Sequence, residues 1–277
     1  MRVGVLNSWL AERYLSFWKA YLRQLDVEVV HPQSFISASP SAISQVLGQV
    51  QSLKAQGVDY LLLPDIQLGL ESNRGNPSPW LIDLEASLRQ TVPGLPPALV
   101  VPAELSPDLA GLAAGVGQSL SQNPMTARRA LERTRPLLTP QYKAPKQAGN
   151  DLVGIVAQPV LLDNPELLNP LRDRLQTHGL NLFLADKPPQ ELRLEGDKLG
   201  LGLELPTDLE TAGMHRYFSR LGKVKGILYL HDEAYAPLPG PLRKLVSKTG
   251  PNKPQAMAGT DGAWDEAVER LAMSDER

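Results

Sequence analysis

His231, Asp232 and Glu233 are the densest group of proton-carrying side chains in the sequence. They follow the apolar run Lys225 to Leu230, so a strand would deliver them together at its carboxyl end. An imidazole beside two carboxylates suits acid–base work or oxygen ligation of a hard metal. Consecutive residues of an extended chain point different ways, however, and no second histidine stands at ligand spacing. The triplet therefore reads first as a polar loop, with no metal site expected and with His231 and Glu233, beside Asp65, as the acid–base candidates. His31, His178 and His215 are scattered and read as surface or helix-terminal residues.

A second set of residues suits hydrogen bonding to a small molecule. Asn7 and Ser8 follow the run Arg2-Val-Gly-Val-Leu6, Asp65 and Gln67 follow Val58 to Pro64, and Glu104 follows Ala98-Leu-Val-Val101. Gln158 and Asp163 follow Val153 to Val156 in the same manner. In an open parallel sheet such strand ends border the ligand crevice. The same residues could equally serve as helix caps and loop anchors. Ser8 lies outside any Gly-x-Ser-x-Gly elbow, and no phosphate-loop or dinucleotide glycine motif joins a strand to a helix.

These side chains need βαβ units to position them. The clearest is Leu152 to Pro188: a strand at Val153–Val156, a helix carrying Leu167, Leu168, Leu171 and Leu175, a stop at Gly179, and a strand from Leu180. The amino terminus repeats the plan, with a helix from Tyr14 to Leu25 bearing Phe17, Trp18, Tyr21 and Leu22, and a strand at Val27–Val30. Further helices are expected over 40–56, 80–91, 109–120, 125–138 and 208–221, the last capped by Thr207 or Asp208. Gly111, Gly115 and Gly117 are spaced for a close helix contact rather than for a phosphate.

Residues 139–150, with Pro140, Pro145 and Gly149, read as a linker between a lobe at 1–138 and a lobe at 151–277. Alternating leucines on both sides of Gly196-Asp197 predict an inserted β-hairpin over 191–205, a candidate partner contact. The expected class is α/β, with two Rossmann-like, flavodoxin-like lobes of mainly parallel sheet flanked by helices.

Composition narrows the function. The chain has 277 residues, 42% of them hydrophobic, enough for substantial cores. A net charge of −2 argues against a nucleic-acid partner, and the loose groups around Lys143 and Arg243 read as solvated surface. The absence of cysteine excludes disulfides, thiol nucleophiles and thiolate-held zinc or iron–sulfur centres built from this chain. With neither a signal-like segment nor a membrane-length apolar run, a cytoplasmic protein without membrane contact is expected.

The opening Val3-Gly-Val-Leu6, Phe17-Trp18 and Leu25-Asp-Val-Glu-Val-Val30 resembles the start of 2-hydroxyacyl-CoA dehydratases and their activase-associated relatives. Ala157-Gln-Pro-Val-Leu-Leu-Asp163, Leu168-Asn169 and Leu175 to Gly179 resemble that group's central segment, so the likeness extends over most of the chain. The family holds an iron–sulfur cluster on cysteines at strand ends. Here the positions matching Cys-Pro and Cys-Gly-Pro are Val101-Pro102 and Tyr235-Ala236-Pro237, and Gln158 and Val160 replace the family's Arg and Tyr. The resemblance implies a scaffold that has lost its cluster, needs no cofactor, and binds a small molecule, a protein partner or a second copy of itself. The alternative is an enzyme with acid–base residues at an inter-lobe crevice, acting on a carboxylated or CoA-type molecule.

Overall fold

The computed structural model describes residues 1–33, 41–67, 78–139, 142, 144–145, 147, 149–248 and 253–273. The chain divides into two compact units, one of residues 1–37, 43–69 and 82–141, the other of residues 38–42, 70–81 and 142–277. Each holds a four-stranded, all-parallel sheet flanked by helices, so the class is α/β and Rossmann-like.

In chain order the first half carries β1 (Arg2–Val5), α1 (Ala11–Gln24), β2 (Glu28–Val30), α2 (Ala42–Ala55), β3 (Tyr60–Asp65), α3 (Pro79–Ile82), α4 (Leu84–Thr91), β4 (Ala98–Pro102), α5 (Ala110–Ser121) and α6 (Pro124–Thr134). The sheet order of the first unit is β2-β1-β3-β4. Val3 and Val5 of β1 and Leu61 to Leu63 of β3 are buried on both faces, which is why the two lie centrally and read as unbroken apolar runs. One face is covered by α1, whose buried stripe includes Tyr14, Phe17, Trp18, Tyr21 and Leu22.

The Tyr21 hydroxyl donates to Ala113 O at 2.8 Å, in a space that exists because residue 117 is glycine. A Cβ there would lie 1.9 Å from that hydroxyl oxygen. Gly117 therefore makes the close helix contact expected of it, whereas added Cβ atoms at Gly111 and Gly115 would meet open space. The expected helix over 80–91 is two, because Asp83 leaves helical geometry and accepts from Ala86 N to start α4. The helix after Asn123 ends at Thr134 and tightens into a 3₁₀ turn over Arg135–Leu138, where Pro136 cannot donate.

The second half carries β5 (Leu152–Val156), α7 (Pro159–Leu162), α8 (Pro165–Gln176), β6 (Asn181–Phe183), α9 (Pro189–Asp197), α10 (Pro206–Arg220), β7 (Val224–His231), α11 (Gly240–Lys248), β8 (Gln255–Gly259) and α12 (Asp265–Ala272). The sheet order is β6-β5-β7-β8, the arrangement of the first unit repeated. Register repeats as well: Gly4 of β1 stands opposite Val30 and Leu61, and Gly154 of β5 opposite Phe183 and Ile227. Phe218 fills the space over Gly154, where a Cβ would lie 2.5 Å from its ring.

Two expectations are corrected here. No hairpin occupies 191–205: residues 189–197 are α9, and 198–204 form an irregular connection with Gly200 and Gly202 at positive φ. The alternation of leucine misled because the buried face of α9 uses Leu192 and Gly196, four apart, while Leu194 is 64% exposed. Gly196 and Gly213 let α9 and α10 touch backbone to backbone, since Cβ atoms there would lie 2.0 Å from Leu209 O and 1.8 Å from Leu192 O. Thr207 and Asp208 do not cap α10 either; Pro206 opens the helix after Leu205, and both residues are buried in its first turn.

Candidate functional site

In a sheet of this order the sequence of strands reverses between its two central members, and the loops leaving their carboxyl ends bound a crevice. In the first unit these are the loops after β1 and β3. Leaving β1, Trp9 and Leu10 both adopt left-handed backbone, at φ 59° and 65°, and both are almost fully buried. Such geometry costs a bulky residue about 1–2 kcal/mol. Gln49 of α2 compensates by accepting from Asn7 N at 2.9 Å and lying 3.2 Å from Ser8 Oγ, which fixes the loop.

His31, following β2, donates from Nδ1 to Asn7 Oδ1 at 3.1 Å. Burial first, then the charges of Lys19 and Arg23, hold its pKa below the ordinary value. Asp65 accepts from Gln67 N at 2.9 Å and so shapes its own turn, and Glu104 lies 3.6 Å from Arg13 of α1. The candidates of this unit are thus tied to neighbours: Asn7 and Ser8 through Gln49, Asp65 to Gln67, and Glu104 to Arg13.

In the second unit Asp65 has a positional equivalent. Counting four residues on from the matched pairings of Gly4 and Gly154 leads to Asp65 in β3 and His231 in β7. His231 Nδ1 lies 3.3 Å from Glu233 Oε1, and the same oxygen is ion-paired with Arg243 of α11 at 2.8 Å. Asp232 takes a different part: its Oδ1 accepts from Ala234 N and Tyr235 N, and its Oδ2 from Thr260. The backbones of Asp232 and Ala236 also exchange two hydrogen bonds. Segment 78–81 packs on this loop, with Ser78 Oγ donating to Tyr235 O at 2.7 Å and Trp80 edge-on to the Tyr235 ring.

Gln158, at the end of β5, is fully buried and donates from Nε2 to Asp208 Oδ1 at 2.6 Å and toward Pro237 O at 3.4 Å. Both amide hydrogens are thereby used, which fixes the orientation of the side chain. Asp208 lies in the first turn of α10, where the helix dipole favours a carboxylate, and Thr211 Oγ1 lies 3.1 Å from Ala157 O. One carboxamide thus joins the loop after β5, the start of α10 and the loop after β7. Asp163 is half-buried at the end of α7.

Sequence reasoning missed Thr207, Asp208 and Thr211 as a buried polar group. Their readable signal was Pro206 at a helix start, followed by three short polar side chains at spacings that face a strand end. It also missed His215, whose Nδ1 is hydrogen-bonded to the Tyr229 hydroxyl at 2.7 Å. Burial lowers the His215 pKa and pushes that of Tyr229 up.

Among the described residues no group of three or more His, Cys, Asp or Glu side chains could hold a metal ion. What the second unit offers is a histidine 3.3 Å from a carboxylate that is itself ion-paired with an arginine, together with a buried polar group built on Gln158. Also among the described residues, no helix is long and apolar enough to cross a membrane. No family model matches the chain, and no curated protein matches it.

Proposed function

We propose that the protein is a non-redox binding or interaction protein, built on a scaffold that resembles the 2-hydroxyacyl-CoA dehydratases but lacks their cluster. Its ligand site is the carboxyl edge of the second sheet. The observation that carries this reading is the use of the strand-end polar groups: Gln158 joins three segments and Asp232 fixes its own turn. Groups committed to holding loops preorganise a surface for binding. The sequence supplies no thiolate to hold an electron-carrying iron–sulfur cluster at the positions where the resembled family has one. The ligand is a small molecule or a partner protein, and the setting is cytoplasmic, in keeping with a chain that needs no disulfide.

A thermal-shift panel of acyl-CoAs, nucleotides and divalent metals tests the small-molecule form, because a ligand that prefers the folded state raises its stability. Stabilisation by one class, lost in Gln158→Leu while that variant remains folded, supports the site. Stabilisation that survives the substitution refutes its placement.

A second reading rests on one distance. Glu233 at 3.3 Å from His231 Nδ1 would orient the imidazole and leave Nε2 to exchange a proton with a carboxylated or CoA-type substrate. Under that reading His231→Asn abolishes turnover without weakening ligand binding.

A further inference from the structure

The surface of the first unit carries a concentration of charge that the composition of the whole chain conceals. Lys and Arg make up 28 of 277 residues in a chain of net charge −2, yet four of the eight residues 128–135 are arginine. Helix α6 sorts them by its period. Ala127, Ala130 and Thr134 face inward, whereas Met125, Arg128, Arg129, Glu132 and Arg133 follow the three-and-four spacing on the outer side, all exposed. Arg133 reaches Gln24 at the end of α1, so the stripe continues onto that helix beside the exposed Arg23.

Internal structure does not account for this stripe. Arg128 is paired with Glu132 four residues on, but Arg129 and Arg135 make no ion pair or hydrogen bond among the described residues. Met125 at one end is 57% exposed and Leu137 beyond the other end is 43% exposed. Arginine and methionine are the side chains enriched where proteins meet, and the guanidinium fork matches a carboxylate through two parallel bonds. A uniformly charged phosphate polymer would also meet Glu132 in the middle of the stripe. A protein segment can place a cation or a neutral residue there.

We propose that the outer stripe of α6, with Arg23, is the docking surface for an acidic protein segment. Its carboxylates meet Arg129 and Arg133, and its apolar residues lie against Met125 and Leu137. This builds on the interaction reading above and gives the partner its chemistry.

The test uses the full chain and a synthetic helix-forming peptide with glutamates along one stripe flanked by leucines, followed by titration and by amide-shift mapping. The expected result is binding that perturbs residues 124–137, weakens at least tenfold between about 50 and 300 mM salt, and is lost in the double variant Arg129→Glu, Arg133→Glu. Lys244→Glu, an exposed charge reversal in the other unit, should leave it unchanged. The inference is overturned if the peptide fails to bind at low salt, if its glutamine counterpart binds equally, or if the double variant binds as before. It is also overturned if a short DNA duplex or phosphatidylserine vesicles bind the same stripe more tightly at equal salt. Perturbation confined to the strand-end loops of the second unit would overturn this surface while leaving the binding reading intact.

Discussion

Replacing Gly213 by alanine sets two well-founded expectations against each other. Alanine is favoured over glycine inside a helix by about 1 kcal/mol, so intrinsic preference alone makes Gly213→Ala stabilising. At this position the new Cβ would lie 1.8 Å from the Leu192 carbonyl oxygen, with the Leu192 carbonyl carbon at 2.6 Å. A carbon–oxygen contact relaxes near 3.3 Å, so α9 must retreat by about 1.5 Å. The obstacle is backbone and cannot rotate away. The Arg193–Glu210 pair, whose carboxylate is 1% exposed, spans the same seam and would be stretched from 3.2 Å. Overpacking of this kind costs about 3 kcal/mol, leaving a net loss of about 2 kcal/mol after the helical gain.

Gly115→Ala is the matched control. It lies within α5, has nothing within 4 Å of its added Cβ, and should gain about 0.5–1 kcal/mol. Urea unfolding followed by far-ultraviolet circular dichroism, with hydrogen exchange over 189–220 to localise the change, decides between them. If Gly213→Ala gains stability as Gly115→Ala does, the backbone contact of α9 with α10 is refuted.

Three further outcomes are expected. Lys253 donates to the carbonyls of Phe218 and Leu221 at the negative end of α10, so Lys253→Met should cost about 1–2 kcal/mol and increase exchange in the last turn of that helix; unchanged exchange there would refute the cap. Gln158→Leu removes one donor to a fully buried carboxylate and should lower the denaturation midpoint by the equivalent of about 1–3 kcal/mol, and an unchanged midpoint would refute a stabilising role for that bond. His215, lowered from 6.5 by burial, stays neutral in the folded protein at pH values where the unfolded chain has taken up a proton. Its contribution to stability is present above pH 6.5 and is lost as pH falls through the folded value, so His215→Gln should flatten the decline in stability measured on going below pH 6.5.

The sheets were legible in the sequence because fully buried parallel strands must be apolar on both faces. Leu61 to Leu63 and Val153 to Val156 leave no alternation to misread. The repeated strand–helix–strand plan of the two lobes is matched by a shared strand order and register. Helix α9 was illegible because its inward face is made partly of glycine, so the closest packing in the unit leaves the weakest apolar signal. Trp80 to Thr91 read as one helix because leucine spacing continues across Asp83, and only the bond to Ala86 N reveals the break. At the candidate site, residue types at strand ends could be read, but their partners could not. Gln158 meets Asp208, fifty residues away, through a topology that no local window contains.

Residues 78–81 come from the amino-terminal half of the chain, yet they belong to the second unit and press a tryptophan and a serine against its Tyr235 loop. Severing the polypeptide in the 139–150 segment would therefore not yield two self-sufficient pieces. A fragment beginning at 151 would leave the Tyr235 ring and carbonyl without their cover, and adding back a peptide containing Ser78 to Leu81 should restore it. Modular reuse of the carboxyl-terminal half, by grafting or by recombination, must carry that distant stitch along.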